Sequence, residues 1–370
     1  MATKIARAGW TDPRRAYQRC RAGLNKRSII FAQRALLRSY DPHLKRLIIF
    51  ITPGWNEPRG GVRSIVSIYE ETKKLHRLHQ SKALLCTIAD DELRLKYTWF
   101  KNRHYILQLA DVMNYFSELE EMLIHVPECY IDRFVAMAKA ELMDTLRRIP
   151  ALRFNILLQN IDLIQDQDVE ALKSLGPTTC TTAHQRYSTV ETRASLGVPL
   201  HHLSVCGGAA QYRYVRYRKK EGLMIVSADE HPEKKRILDT IAANNPHLVV
   251  RVIQGIKYTE YLRLVGKAKW CLTFGEGLDH YFIETVFCGG VSFAVYNDRF
   301  FTPEFKTLET VYDNLQQLEE KISTDLLRLD HESVFVPYQK RQFEIVSNIY
   351  KHAEYCRNVG EFYRGNYSFP

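Results

Sequence analysis

The sequence predicts an α/β protein with two Rossmann-like, doubly wound domains facing each other across a cleft. Three observations carry that expectation. From residue 47 onward, short apolar runs of strand length alternate with helical patterns, which implies parallel sheets covered on both faces. The alternation pauses near 200–220 and restarts after Gly207-Gly208, so two such sheets are expected. A chain of 370 residues, 45% of them hydrophobic, is too long for one ordinary core and too apolar for disorder.

The first strand reads as LIIFIT (47–52), bounded by Pro53-Gly54 and by Gly60-Gly61. Val62, Ile65, Val66, Tyr69, Thr72 and Leu75 then recur at helical spacing. Further strands are expected over 83–89, 104–109, 121–126, 154–160 and 180–184, with helices near 110–119, 131–147 and 167–175. In the second half, strands at 222–228, 247–255, 270–274 and 290–297 alternate with helices at 232–245, 259–268 and 279–288. The expected organisation is a basic helical segment (1–45), a first domain (46–205), a second domain (206–338) and a C-terminal helix (339–370) returning to the first. Ligands of doubly wound sheets bind beyond the carboxyl ends of the strands, so the cleft is the expected site.

Charge is unevenly placed. The formal net charge is +10, from 52 basic and 42 acidic residues. Residues 1–46 hold 12 of the basic and two of the acidic ones, which leaves 40 of each sign in the remainder. Within that segment Ile29, Ala32, Leu36, Leu37 and Tyr40 share a helical face with Gln33 inside it, while Arg34 and Arg38 lie off it. Two readings stay open: the segment lies on an anionic membrane surface, or it docks by its apolar face on the first domain. The charge is confined to this arm, so nucleic acid is not the expected partner. The aromatic-basic run Gln211–Lys220 reads as a cleft wall or interdomain strand.

Eight scattered cysteines, with no CxxC and no zinc spacing, point to buried thiols in a reducing compartment. No apolar run approaches the roughly 18–20 residues that span a bilayer, and the first 28 residues lack a signal-peptide core. A cytoplasmic protein, at most peripheral on the inner face of the membrane, is expected.

The most informative stretch is Phe274-Gly275-Glu276-Gly277-Leu278-Asp279-His280-Tyr281-Phe282-Ile283-Glu284, followed by Cys288-Gly289-Gly290. Glu276 sits at a strand end, and Glu284 lies eight residues later, close to two helical turns. Gly275 and Gly277 allow a ligand close to the backbone, and the helix start between the carboxylates offers free N–H groups to an anion.

This stretch resembles the E-x7-E signature of glycosyltransferase family 4, whose fold is GT-B; the likeness is clearest over 270–297. The resemblance implies a nucleotide-sugar donor and a glycan hydroxyl acceptor, without a metal or other cofactor. It places the ribose on Glu284 and the donor sugar on Glu276, with Gly275, Gly277 and Leu278 around them. Gly60-Gly61 matches the family's glycine pair near the donor diphosphate. Ile124-His125-Val126-Pro127 resembles its H-x-x-P strand end, one residue shorter, and implies that His125 touches the transferred sugar. His231-Pro232-Glu233-Lys234-Lys235 resembles its P-E-K turn, with Lys234, or its neighbour Lys235, on phosphate.

The arginine the family carries ahead of that lysine is absent from Ser227-Ala228-Asp229-Glu230-His231. Arg59, Arg63 or an arginine of 213–218 is expected in its place. The resemblance implies retention of configuration; an inverting enzyme would need a general base, for which His125 is a candidate. Bacterial surface polysaccharide assembly on a lipid-linked acceptor suits the basic arm. The alternative is a GT-B-like glycan- or nucleotide-binding protein without turnover. Asp166-Gln167-Asp168 reads as helix capping rather than a metal site, and His184 and Tyr187 are candidate acceptor contacts.

Overall fold

The computed structural model describes residues 26–56, 60–88, 91–100 and 102–370. Among these, the strands form two all-parallel sheets. The first contains β1 (Arg46–Ile51), β2 (Lys82–Thr87), β3 (Ile106–Gln108), β4 (Glu121–Pro127), β5 (Ala151–Leu158), β6 (Thr178–Thr182) and β7 (Leu200–His202), in the order β3-β2-β1-β4-β5-β6-β7. The second contains β8 (Glu221–Val226), β9 (Val249–Val252), β10 (Ala268–Leu272), β11 (Val291–Val295) and β12 (Val311–Tyr312), in the order β12-β11-β10-β8-β9. Each sheet therefore reverses direction once, between β1 and β4 and between β8 and β10. Those reversals open the crevices in which such sheets bind ligands.

Burial explains the strand choice. Leu47 to Ile51 of β1 are all buried, because a central parallel strand is covered on both faces. Along β4 the faces alternate: Ile124 and Val126 join one core, while Leu123 joins the other, under helix Gly60–Lys74. That helix buries Val62, Ile65, Val66 and Tyr69, and ends with Lys73 and Lys74, whose charge suits a helix C-terminus.

β7, β12 and helix Leu315–Leu329 were not among the expected elements, and in place of the single helix expected over 339–370 there are two, Glu332–Ile349 and His352–Arg364, of which only the second returns to the first domain. Helix Glu332–Ile349 packs on the second sheet and carries Pro337 near its start. The chain then crosses at Tyr350, and helix His352–Arg364 packs against helix Gly60–Lys74 of the first. Phe369 finally exchanges backbone hydrogen bonds with Leu200 (2.8 and 2.9 Å), covering the β7 edge.

Residues 26–37 form a helix docked on the first sheet. Gln33, the polar residue in its apolar stripe, is buried, and its amide donates to the carbonyls of Ile106 (2.8 Å) and Arg94 (3.0 Å). Leu37 is buried beside it, whereas Phe31 is 74% exposed. The apolar stripe thus faces protein. The remainder of the basic arm, residues 1–25, lies outside the described residues.

Candidate functional site

A cleft of about 1760 Å³ separates the two sheets, lined from both sides by strand ends and helix starts. On the first side lie Gly60, Gly61, Arg63, Glu128, His184 and Arg186. On the second lie Asp229, Gly275, Glu276, Leu278, Asp279 and His280. Helix Gly60–Lys74 and helix His280–Phe287 begin against one another: a β-carbon on Gly60 would lie 3.5 Å from the His280 ring. Two helix N-termini from opposite sheets thus meet in the cleft, where free N–H groups favour an anion.

The turn before the second helix follows from its residues. Asp279 caps it, accepting from the Phe282 N–H (3.0 Å). Gly277 has φ +75°, and a β-carbon there would stand 2.5 Å from Phe301 and 2.9 Å from the Val295 carbonyl, so no other residue fits. Thr273 Oγ1 donates to the Gly277 carbonyl (2.7 Å) and closes the turn. Glu276 at its tip is exposed to the cleft. Desolvation and Asp229 raise its pKa, against the opposing pull of Arg186.

Glu284, one turn into the helix, is fully buried and lies just behind the cleft wall. Its Oε1 accepts from Tyr258 OH (2.7 Å), Arg63 Nη2 (3.1 Å) and Tyr212 OH (3.1 Å). Arg63 comes from the opposite domain; it also donates to Tyr258 OH (2.7 Å), and its guanidinium lies 4.0 Å from that ring's centroid. Burial works against the Arg63 charge, but Glu284 with Tyr258 and Tyr212 outweighs it and drives the pKa up. Both tyrosines are pushed up by burial and then by the carboxylate. Oε2 of Glu284 is buried with no hydrogen-bond partner among the described residues. An acceptor so placed is costly to leave unpaired, and suits a ligand hydroxyl.

Arg186 also spans the cleft. Its guanidinium sits between the rings of Tyr187 (4.4 Å) and Phe300 (4.1 Å) and donates to the Arg299 carbonyl, while Nε is buried without a hydrogen-bond partner among the described residues. His184 lines the same wall, its pKa pulled down to about 4 by desolvation and then by Arg186, His202 and His280.

Three expected ligands are engaged elsewhere. His125 is buried and stacked on Phe50 (4.2 Å); Nδ1 meets Asn155 Nδ2 (3.0 Å) and Nε2 meets Tyr363 OH (3.2 Å). Burial, helped by His79, drops its pKa to about 3. It faces the layer that helix His352–Arg364 covers, so it neither lines the cleft nor acts as a base there. Lys234 is buried, and Nζ donates to the carbonyls of Asp229 (2.7 Å) and Ser227 (2.8 Å), stapling the loop after β8. Lys235 points into solvent, paired with Asp239 (2.7 Å).

Of the expected replacements for the missing arginine, Arg63 is the one in the cleft. Arg213, Arg216 and Arg218 are exposed, with Arg218 on Glu332, and Arg59 lies outside the described residues. Within 211–220, Tyr212 reaches Glu284, Tyr214 reaches Gln339 and Tyr217 reaches Asp330. The run therefore anchors the second domain. Asp166 and Asp168 occupy the first turn of helix Asp166–Lys173. Sequence reasoning missed Tyr258, Arg186 and Glu128; the last carried a signal, a carboxylate directly after a strand beside the reversal.

No family model matches the chain, and no curated protein matches its sequence. Solved structures do match in fold. HepE of Anabaena in complex with UDP-glucose is similar over 86% of this chain and 99% of its own, with 11% identity and a TM-score of 0.55. Sucrose-phosphate synthase of Thermosynechococcus elongatus is similar over 87% and 99%, with 10% identity and a TM-score of 0.54. The E. coli trehalose-6-phosphate structure bound with UDP-2-fluoro glucose is similar over 86% and 99%, with 8% identity and a TM-score of 0.51. Two parallel sheets of seven and five strands, reversed toward a shared cleft, are the GT-B fold of those structures.

Proposed function

We propose that the chain is a glycosyltransferase, a divergent relative of family 4, that moves a sugar from a nucleotide-sugar donor to a hydroxyl of a glycan. The observation that carries this reading is the meeting of two helix N-termini in the cleft, with Arg63 and Arg186 beside them and Glu276 facing them. A nucleoside diphosphate departing there leaves its charge among fixed N–H dipoles and guanidinium groups, which is where transfer needs stabilisation. In this reading Gly60, Gly61, Gly275, Gly277 and Leu278 shape the diphosphate and sugar subsites, and Glu276 accepts from the sugar hydroxyls. Glu284 takes the ribose. Its Oε2 supplies the free acceptor, and the ribose hydroxyls replace donors that otherwise cap the carboxylate.

The anionic partner of the basic arm is a membrane surface bearing a lipid-linked acceptor, as in bacterial surface polysaccharide assembly. With Gln33 and Leu37 of helix 26–37 buried against protein, the outward side carries Phe31 among Lys26, Arg27 and Arg34, with exposed Arg38 just past its end.

A binding protein without turnover is the second reading, favoured by one observation: Lys234 is committed to two carbonyls and leaves phosphate to others. Release of sugar from UDP-, GDP- and dTDP-sugars distinguishes the two. The enzyme reading predicts release that Glu276→Ala and Glu284→Ala each reduce at least tenfold. Donor binding without release by wild type supports the second reading.

A further inference from the structure

Glu128 is a buried carboxyl of which the fold uses one oxygen and the proposed donor site none. Pro127 ends β4, and a 3-10 turn over Glu128–Tyr130 follows at once. The turn sends the Glu128 side chain across the end of β5, where Oε1 accepts from the Asn160 N–H (3.0 Å). The residue is 5% exposed and still lines the cleft. Oε2 is buried with no hydrogen-bond partner among the described residues.

The groups facing it are backbone amides of Gln159 and Asn160, the thiol of Cys129 on its own turn and the thiol of Cys180 on β6. None of these is a cation. Burial therefore pushes the carboxyl up to about 7 despite the amide hydrogen bonds. Tying β4 to β5 needs only the one oxygen that Asn160 holds. The second, unpaired in a buried position, is a liability unless a ligand hydroxyl donates to it.

Position assigns that ligand. β4 flanks the reversal of the first sheet, and Glu128 lines the same cleft as Glu276, from the other sheet. The same wall carries His184 and Tyr187, with Tyr187 OH 3.5 Å from Asn160 Oδ1, a polar lining suited to a hydroxyl-rich acceptor.

We propose that Glu128 is the general base of the transfer. Its Oε2 takes the proton of the acceptor hydroxyl as a lone pair of that oxygen forms the bond to the donor's anomeric carbon. The bond from that carbon to the diphosphate oxygen breaks, and its electron pair leaves on the nucleoside diphosphate. Attack from the face opposite the leaving group inverts the configuration, in place of the retention that family resemblance implies. The proposal rests on the glycosyl-transfer reading above. It also fixes a pH response, because the base works only when ionised: turnover rises with pH through about 7, and the limb belongs to Glu128.

The test needs no knowledge of the acceptor, because water can take its place. Wild type, E128Q and E128D are incubated with UDP-α-glucose, GDP-α-mannose and dTDP-α-glucose. Proton NMR records the anomer released before mutarotation, and calorimetric titration gives the donor Kd. The expected result is first release of the β-anomer and a loss of about 100-fold or more in E128Q, with partial activity in E128D. Donor Kd stays within threefold, which certifies the fold, and the limb near pH 7 disappears in E128Q. First release of the α-anomer, or an E128Q rate within threefold of wild type, overturns the assignment. Donor binding without release also overturns it while leaving the donor site standing. Absence of donor binding in wild type overturns the glycosyl-transfer reading, and this proposal with it.

Discussion

Removing either partner of the Arg63–Glu284 pair is expected to damage the protein through the charge left behind. Glu284 is fully buried and the Arg63 side chain is 20% exposed, so neither group is freely hydrated once alone. Breaking a buried pair by deleting one member costs about 3–5 kcal/mol. Arg63→Ala leaves the Glu284 carboxylate with the hydroxyls of Tyr258 and Tyr212 and, at 3.8 Å, Nδ1 of His280. Glu284→Ala leaves a guanidinium with the Tyr258 hydroxyl and ring. Because Arg63 keeps some solvent, Glu284→Ala belongs at about 3 kcal/mol, the low end of that range. The double variant removes both charges together and loses only their packing and hydrogen bonds. A double-mutant cycle by urea unfolding should therefore yield a coupling energy of about 2 kcal/mol or more, within the span seen for residues in contact. Tyr258→Phe, which removes one donor to the carboxylate, should cost about 1.5–3 kcal/mol. If the two single effects add to within about 0.5 kcal/mol, the pair is not the cross-cleft contact described and the reasoning fails.

Other consequences are as specific. His125 has its pKa lowered to about 3 by burial, whereas an unfolded histidine titrates near 6.5. The unfolded chain thus binds the extra proton: stability is full above about pH 6.5 and is lost as pH falls toward the folded value, by up to about 1.4 kcal/mol per unit. Between pH 7 and pH 5 wild type should lose about 2 kcal/mol more unfolding free energy than His125→Gln; equal losses would count against the buried neutral ring. Lys234→Ala should destabilise by about 1–3 kcal/mol through loss of the staple to Ser227 and Asp229. Lys235→Ala, on an exposed pair, should stay within about 0.5 kcal/mol, and a reversed order would refute the side-chain assignment. At the basic arm, Arg38→Ser should weaken binding to phosphatidylglycerol vesicles about fivefold, one cation's worth of about 1 kcal/mol. Unchanged cosedimentation would remove that face from the membrane.

What the residues announced and what they concealed divide along sequence distance. The strands at 222–228, 270–274 and 290–297 were legible because fully buried parallel strands read as apolar runs. The turn at Gly275-Glu276-Gly277 was legible because its glycines are locally required. β12, two residues long, and β7, two of whose three residues are histidines, present no apolar run to register. Pro337 inside helix Glu332–Ile349 masked its first turns, since proline ordinarily ends a helix, and the expected helix began only at 339. The direction of a side chain was concealed wherever its cover comes from far along the chain. His125 looked like a strand-end ligand, and only helix His352–Arg364 folding over it makes it core. Glu284 was readable as a functional carboxylate, yet the Arg63, Tyr212 and Tyr258 that grip it come from three other segments. Lys234 matched a phosphate-binding pattern in residue type, but the carbonyls of its own loop claim it.

In the proposed reading, a nucleotide sugar lies in this cleft with its ribose on Glu284. Calorimetric titration of UDP-glucose, GDP-mannose and dTDP-glucose into wild type and Glu284→Ala measures it directly. At least one donor is expected to bind wild type, and the substitution to weaken it about tenfold or more, the loss of a hydrogen bond to a charged group. Failure of all three to bind wild type, or equal affinity in a folded Glu284→Ala protein, would contradict it.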